Sequence, residues 1–392
     1  MKVLHVIPTL ASSYGGPSHA IVGMVRRLGE RGVSVTVATT AADEPEVALD
    51  LPGVKVVRAP RARGRWWPAS FAFSPALADW LERSVREFDL VHVHTVFNHP
   101  ASSASAAARR YGVPFLVRPC GMLDPWSLRR RGLKKRIWMA LRERRNLDAA
   151  AALHFTSVEE ELATHELRLR PPGFVIPLGV ELPAIRRERR AQKTVLFLSR
   201  LHPKKGLDLL IPALGELAKE RDDFAFVLAG TGEPAYEREI SDLLARYGLL
   251  ARTTLSGFVS GSTKVDLLAR ADVFVLPSYQ ENFGIAVAEA LAAGLPVVIS
   301  DRVNIFHDVM QAGAGLVGPP TIEAVAAALR RLLDDDVLRE RMGQNAHKLA
   351  QQRFSWNTVV AELFKSYQQV LVKTCKLPER AAGPVLAEVS SC

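Results

Sequence analysis

Short apolar runs alternate with helix-like stretches along most of this chain. Between the first two apolar runs, Ile21, Val25 and Leu28 recur at helical spacing, which predicts a helix over residues 18–31. Strands that alternate with helices in this way are typical of a parallel α/β sheet. In the first half of the chain, the apolar runs predict strands at residues 3–7, 33–38, 54–58, 90–94, 114–117 and 153–155.

A second series of the same kind follows a charged break that contains the run Arg186-Arg187-Glu188-Arg189-Arg190. This charge density predicts a linker between two domains. The second series predicts strands at residues 195–198, 224–229, 254–255, 273–276, 297–299 and 316–317. We therefore expect one domain at residues 1–178, a linker at 179–193, a second domain at 194–353, a terminal helix at 354–372 and a disordered tail at 373–392.

Composition is that of an ordinary soluble globular protein, with 48% hydrophobic and 23% charged residues in a chain of 392. Cys120, Cys375 and Cys392 are far apart and show neither metal-ligand spacing nor a disulfide framework, so we expect a reducing, cytoplasmic environment. No apolar run approaches the roughly 18 residues of a membrane span.

The net charge of +10 is concentrated in the first half, where residues 1–180 hold 25 Lys and Arg against 16 Asp and Glu. Residues 129–145 carry nine basic residues and one acid, and Leu133, Ile137 and Leu141 recur there at a spacing of four, which predicts a basic amphipathic helix. A solvated face and a patch for anionic lipid or a lipid-phosphate acceptor are both open interpretations. We expect no nucleic-acid partner, because no aromatic-interleaved strand or zinc module accompanies the charge.

Two carboxylates, Glu281 and Glu289, flank the start of a predicted apolar helix that Gly284 opens. The amino end of a helix carries unpaired amides and suits a phosphate group. Carboxylates beside such an anion site repel phosphate and are better suited to accept hydrogen bonds from hydroxyls. The segment therefore predicts a site for a sugar joined to a phosphate.

In each half of the chain, one further candidate loop follows the first predicted strand. Gly15-Gly16-Pro17 lets the backbone approach an anion closely, although any strand-to-helix turn can use glycine. In residues 199–206, Arg200 and Lys205 can bind a diphosphate from two sides, the alternative being a solvated basic turn. No Asp-x-Asp sequence lies at a strand end, so we expect no bound metal and no cofactor, and basic groups have to stabilise the diphosphate.

Together these motifs resemble the retaining glycosyltransferases of family 4. The resemblance covers most of the chain and rests on Gly15-Gly16, residues 199–206, residues 281–289 and Phe354-Ser355-Trp356. It implies the GT-B fold, in which two doubly wound, Rossmann-like parallel-sheet domains face each other across a cleft and the C-terminal helix crosses back to the N-terminal domain. Donors bind at the carboxyl ends of such strands.

The resemblance also implies a role for each matching residue. Arg200 and Lys205 are expected to bind the donor diphosphate, and Glu281 to contact hydroxyls of the transferred sugar. Glu289 is expected to hold the ribose. The remaining donor contacts fall on Gly15, Gly16, Asn282, Phe283 and Gly284.

The chain departs from the family pattern at Cys120, where the family often has a histidine before glycine. A thiol is a poor substitute for imidazole near neutral pH. Either His94 or Arg118 supplies the sugar contact, or the site is remodelled, or activity is lost. For His94 a structural role in the core is the alternative. Trp126 and the basic helix after it are the predicted acceptor side.

We therefore expect a cytoplasmic enzyme that transfers a sugar, with retention of anomeric configuration, from a nucleotide-sugar to a saccharide or lipid-linked acceptor in polysaccharide or glycolipid biosynthesis. Attachment to the inner membrane surface depends on the basic segment. One alternative is a nucleotide-sugar epimerase, which would need carboxylates and a histidine for proton abstraction. Another is a donor-binding subunit that is inactive because of Cys120.

Overall fold

The first half of the chain forms a seven-stranded parallel sheet. The computed structural model describes residues 1–11, 14–42, 45–49, 51–62, 68–129, 132–183 and 192–374. The strands are β1 (Lys2–Thr9), β2 (Ser34–Thr40), β3 (Val54–Ala59), β4 (Leu90–His94), β5 (Phe115–Arg118), β6 (Ala152–Phe155) and β7 (Gly173–Val175). Their order is β3-β2-β1-β4-β5-β6-β7, and every neighbouring pair is parallel.

Helices cover both faces of this sheet. They are α1 (Gly16–Glu30), α2 (Pro75–Ser84), α3 (His99–Arg110), α4 (Pro125–Arg129), α5 (Gly132–Trp138), α6 (Arg144–Asp148) and α7 (Val158–Ala163). Apolar residues of α2 and α3 pack on one face, and those of α1 pack on the other. Each face therefore has its own apolar core, as in other doubly wound sheets.

The second half repeats the arrangement with six parallel strands. These are β8 (Lys193–Leu198), β9 (Phe224–Ala229), β10 (Thr253–Gly257), β11 (Val273–Leu276), β12 (Val297–Ser300) and β13 (Gly315–Gly318), in the order β10-β9-β8-β11-β12-β13. The helices are α8 (Leu207–Glu220), α9 (Pro234–Arg246), α10 (Gly261–Arg270), α11 (Ile285–Ala292), α12 (Phe306–Ala312), α13 (Ile322–Asp334), α14 (Asp336–Leu349) and α15 (Trp356–Lys373).

The predicted fold is confirmed. Every predicted strand lies within two residues of an observed one, and the helix predicted at 18–31 is α1. Strand β7 is not among the predicted strands, although Phe174, Val175 and Ile176 are consecutive apolar residues there. Residues 184–191 of the predicted linker and 375–392 of the predicted tail lie outside the described residues, and the predicted domain boundaries stay predictions.

The last helix crosses back to the first sheet. Apolar residues of α15 join the core that contains α1. The Trp356 ring lies between Gly23 of α1 and Gly179, and a Cβ at either glycine would lie 2.2 Å from the ring. The backbone N–H of Val180 donates to the carbonyl of Phe354 at 2.7 Å. Two glycines thus create the slot in which the returning chain is held.

The basic segment is less regular than predicted. The described residues form α4 and then one continuous helical stretch over residues 132–148, in which a π-helical turn at Met139–Glu143 joins α5 to α6. Ile137 and Leu141 are 52% and 77% exposed, so this part of the predicted apolar stripe faces away from the core. No helix in the described part of the chain has the length and apolar character needed to cross a membrane.

A chain of hydrogen bonds through histidines ties α15 to the sheet. His154 Nε2 donates to the carbonyl of Ile176 at 2.9 Å, so its Nδ1 accepts from His92 Nε2 at 3.2 Å. His92 Nδ1 then accepts from the hydroxyl of Tyr367 in α15 at 2.6 Å. The backbone carbonyl at one end determines the tautomer of both rings.

Two more histidines extend this buried layer. His5 Nδ1 and His94 Nε2 are 3.0 Å apart, and both residues are completely or almost completely buried. Burial lowers the pKa of His5 and of His154 to about 3, and it lowers the pKa of His92 and His94 well below the usual value. The Arg118 guanidinium adds to this lowering, so the rings are neutral in the native protein.

Candidate active site

Two glycines at the carboxyl end of β1 leave open backbone beside the cleft. Gly15 has a φ of +84°, in the left-handed region, and it caps α1, whose first residue is Gly16. Among the described residues, nothing lies within 4 Å of the place where a Cβ would stand at either position. A ligand can therefore approach this backbone closely, and its identity as a phosphate stays a prediction.

The loop after β8 is packed tightly against the neighbouring strand. Residues Pro203–Lys205 form a 3₁₀ turn, in which His202 Nδ1 accepts a hydrogen bond from the backbone N–H of Lys204 at 3.1 Å. A Cβ at Gly206 would lie 2.2 Å from the carbonyl oxygen of Pro277, directly after β11. Gly206 cannot be replaced by a residue with a side chain without moving this backbone. The close contact between the two loops holds the lysines of the turn at the carboxyl ends of β8 and β11.

Two predicted catalytic residues meet at this edge. Lys205 Nζ forms an ion pair with the carboxylate of Glu281, and both side chains are largely buried. The backbone of Glu281 is held on both sides, because its N–H donates to Arg302 at 2.9 Å and its carbonyl accepts from Asn304 at 3.0 Å. Arg200 is exposed and has no carboxylate within ion-pair distance among the described residues. A cation therefore remains available for an anionic ligand.

The loop that leads into α11 is anchored by an aromatic side chain. Phe283 is buried, and its ring meets Phe354 edge-on at 5.7 Å. Gly284 follows with a φ of +82° and caps α11. The side chain of Phe283 is thus part of the core, and only its backbone can contribute to a donor contact.

Glu289 lies one turn into α11 and is already paired. Its Oε1 accepts from Lys264 Nζ of α10 at 2.6 Å. Lys264 was not predicted from the sequence, because nothing in its immediate surroundings distinguishes it from other helical surface lysines. The lysine orients the carboxylate that the resemblance assigns to the ribose.

Residues from the two domains touch across the cleft. Asn282 Nδ2 donates to Thr156 Oγ1 at 3.1 Å. A Cβ at Gly121 would lie 2.7 Å from the Asn282 side-chain amide, so glycine is needed there as well. Lys204 Nζ lies 3.7 Å from the centre of the Trp126 ring, which is a cation–π contact. The predicted donor and acceptor sides are therefore brought together, although the contacts with Thr156 were not predicted.

The acceptor side contains a strained loop and an unpaired charge. Cys120 has a φ of 55°, and burial raises the pKa of its thiol, so the side chain stays protonated. Arg118 is 1% exposed, and within the part of the chain that the structure describes its Nε and Nη1 have no hydrogen-bond partner. His94 is buried and bonded to His5, which places it beneath the cleft in the histidine layer. Of the four predicted acceptor-side residues, Trp126 is the most exposed, at 40%.

Comparison with known families decides the class of protein. The family model for glycosyl transferases group 1 matches residues 181–349, and the model for the glycosyl transferase 4-like domain matches residues 15–179. The chain is a group 1 glycosyltransferase. This confirms the resemblance found in the sequence, and it decides against the epimerase alternative.

The relatives of this group 1 glycosyltransferase cover almost its whole length. It is 28% identical over 397 residues to phosphatidyl-myo-inositol mannosyltransferase of Mycobacterium leprae, which covers 96% of this chain and 99% of the relative. It is 27% identical to an uncharacterized glycosyltransferase of Methanocaldococcus jannaschii, over 90% of this chain and 94% of the relative.

Solved structures share its fold. Sucrose-phosphate synthase from Thermosynechococcus elongatus has a TM-score of 0.74 at 20% identity and covers 95% of this chain and 100% of its own. An Anabaena protein solved with UDP and glucose has a TM-score of 0.73 at 18% identity, with coverages of 94% and 99%. At these identities the likeness concerns the fold alone, which is GT-B in this glycosyltransferase.

Proposed function

We propose that this glycosyltransferase moves a sugar from a nucleotide-sugar to a saccharide or lipid-linked acceptor, with retention of anomeric configuration and without a bound metal ion. One observation carries the proposal: Lys205 and Glu281, 76 residues apart in sequence, are ion-paired at the cleft. A lysine suits a diphosphate leaving group, and a carboxylate suits the hydroxyls of a sugar. In the structure the two side chains neutralise each other's charge.

The chemistry follows from the charges that develop. When the bond between sugar and diphosphate breaks, negative charge grows on the diphosphate, and Arg200 and Lys205 stabilise it from the loop after β8. Glu281 then accepts hydrogen bonds from hydroxyls of the sugar. In a front-face reaction, the acceptor hydroxyl attacks from the side of the leaving group and passes its proton to a phosphate oxygen, which preserves the configuration.

A uridine nucleotide is the first donor to test. Structures with the same fold were solved with UDP, with UDP and glucose, and with UDP-glucose. A thermal-shift screen with UDP-, GDP- and ADP-sugars identifies the donor, because a ligand that binds only the native state raises the melting temperature. If no nucleotide-sugar shifts the melting temperature, the proposal is wrong.

The diphosphate assignment has a sharper test. Removing one preorganised charge stabiliser typically costs ~10²–10³ in kcat, so we expect Lys205→Ala to lose that much transfer activity. Activity of the wild type should survive EDTA. Lys219→Ala is the matched control, because Lys219 is an exposed lysine at the end of α8. Equal activity of the two variants would contradict the assignment.

An acceptor with a negatively charged group fits the acceptor side. Two nitrogens of the Arg118 guanidinium, Nε and Nη1, are buried without a hydrogen-bond partner among the described residues, and an unpaired buried charge costs several kcal/mol. A phosphate or carboxylate on the acceptor would offset that cost. Relatives named for phosphatidyl-myo-inositol and for D-inositol 3-phosphate support an anionic acceptor.

We further propose that the basic segment binds an anionic membrane surface. Ile137 and Leu141 are exposed among basic residues of α5 and the π-helical turn, which is the pattern of an interfacial helix. Vesicles with anionic lipid should bind the wild type more tightly than an Ile137→Ser, Leu141→Ser variant, and binding should weaken as salt rises. Equal binding of the two proteins, or binding that does not depend on salt, would show that the segment is a solvated face and not a membrane-binding surface.

A further inference from the structure

A buried carboxylate outside the predicted site has hydrogen bonds on both of its oxygens. Glu160 in α7 is 2% exposed. Its Oε2 accepts from the backbone N–H of Thr156 at 2.8 Å and from the Thr156 hydroxyl at 2.7 Å. Its Oε1 accepts from the backbone N–H of Gly121 at 2.5 Å. The carboxylate thus joins the end of β6 to the loop that follows β5.

Helix capping explains only part of this arrangement. Ser157 is the N-cap of α7 and accepts from the Glu160 N–H at 3.1 Å, and a glutamate at this position often bonds back to the start of its helix. In a capping box the glutamate accepts from the N–H of the N-cap residue itself, here Ser157, so capping accounts at most for a bond like the one to the neighbouring Thr156 N–H. It requires neither the bond to Gly121 nor the one to the hydroxyl.

The hydroxyl of Thr156 extends the connection across the cleft. A hydroxyl has one hydrogen, and that hydrogen goes to Glu160, so the lone pairs of Thr156 Oγ1 are left to accept from Asn282 Nδ2 at 3.1 Å. The Asn282 side chain also lies against Gly121. These two contacts of Asn282 therefore lead to the same carboxylate.

The loop after β5 needs such a tie because its backbone is strained. Cys120 has a φ of 55° and Gly121 one of 76°. A non-glycine residue in the left-handed region costs of order 1 kcal/mol or more and persists only where the surroundings hold it. The bond from the Gly121 N–H to Glu160 ties this loop to the end of β6, in addition to the hydrogen bonds within the loop.

We infer that Glu160 is a positioning residue that couples the donor-side loop at Asn282 to the acceptor-side loop at Cys120–Gly121. In the arrangement that the structure shows, Asn282 reaches Thr156, and Glu160 connects that contact to the Gly121 amide. A donor that binds between the domains stabilises this arrangement. The inference rests on the proposed function, since it assigns a donor to the Asn282 side. The acceptor loop is then correctly placed only when the donor domain is docked.

Hydrogen exchange tests the coupling without an identified acceptor. UDP is the probe, and the readout is exchange of the peptide that contains Gly121, with and without UDP. In the wild type and in Thr156→Ser, which keeps the hydroxyl, UDP should slow exchange by about fivefold, the factor expected for one hydrogen bond. In Thr156→Val and Glu160→Gln, UDP should still bind, at most about fivefold more weakly because coupling is reciprocal, and should leave this exchange unaltered.

Ser157→Ala is the matched control, because it removes the cap of α7 and keeps the connection to Asn282. It should respond to UDP like the wild type. UDP-induced protection in Thr156→Val equal to that of the wild type would overturn the inference, even if Glu160→Gln fails to fold. Failure of every variant and of the wild type to bind any nucleotide would instead refute the proposed function.

Discussion

Acidification should destabilise the N-terminal domain through its buried histidine layer. His5 and His154 have pKa values lowered to about 3 by burial, and the pKa values of His92 and His94 are lowered well below 6.5. The native rings therefore stay neutral at pH 5.5, while the same residues in the unfolded chain become protonated below about 6.5. Because the unfolded state binds more protons, stability is present above pH 6.5 and is lost as pH falls towards the native values.

The magnitude depends mainly on the unfolded chain. Between pH 7.5 and 5.5, a histidine that stays neutral in the native state and titrates at about 6.5 when unfolded loses about 1.4 kcal/mol of stability. Four such residues together lose about 5 kcal/mol, a large part of the stability of a typical domain. Glu143 offsets some of this, since burial raises the pKa of its carboxyl and favours the native state at low pH.

Proton uptake on unfolding measures the effect even if unfolding is not two-state. At pH 5.5 in weakly buffered denaturant, each of these histidines should take up about 0.9 proton. His154→Asn should lower the total by about one proton. An unchanged uptake in His154→Asn would show that the ring is already protonated in the native protein, and the reasoning would be refuted.

Three further perturbations test the contacts described above. Gly23→Ala should lower Tm sharply, because its Cβ would stand 2.2 Å from the Trp356 ring, and a normal Tm would contradict the tight slot. Arg118→Met should keep or raise Tm while transfer falls at least about tenfold, since it removes an unpaired buried charge; a large drop in Tm would make the residue structural. Lys264→Met should weaken UDP binding several-fold in calorimetry, because Glu289 loses the partner that orients it, and unchanged binding would count against its role at the ribose.

The sequence was sufficient for the elements that depend on local pattern. Strands of a parallel sheet are buried on both faces, so they appear as continuous apolar runs, and nearly all of them were located within two residues. The same pattern places Arg200, Lys205, Glu281 and Gly284 after strand ends. Because the carboxyl ends of parallel strands share one edge, these residues could be expected to lie near one cleft.

The basic segment shows where local pattern was insufficient. A spacing of four predicts which residues share a helix face, but not whether that face meets the core. Ile137 and Leu141 are exposed, so the face of the helical segment that carries them does not meet the core. Their environment depends on neighbouring elements, which periodicity does not describe.

Pairing between distant residues was decided by tertiary structure alone. Three side-chain contacts join residues that are far apart in the sequence. Lys205 pairs with Glu281 across 76 residues, and Lys264 pairs with Glu289 across 25 residues. Thr156 accepts a hydrogen bond from Asn282 across 126 residues. Such contacts depend on the packing of sheets and on domain closure, and they leave no local signal in composition or spacing. The sequence by itself determined the fold and the class of enzyme, whereas the packing of two domains decided which charges neutralise each other and which loops meet.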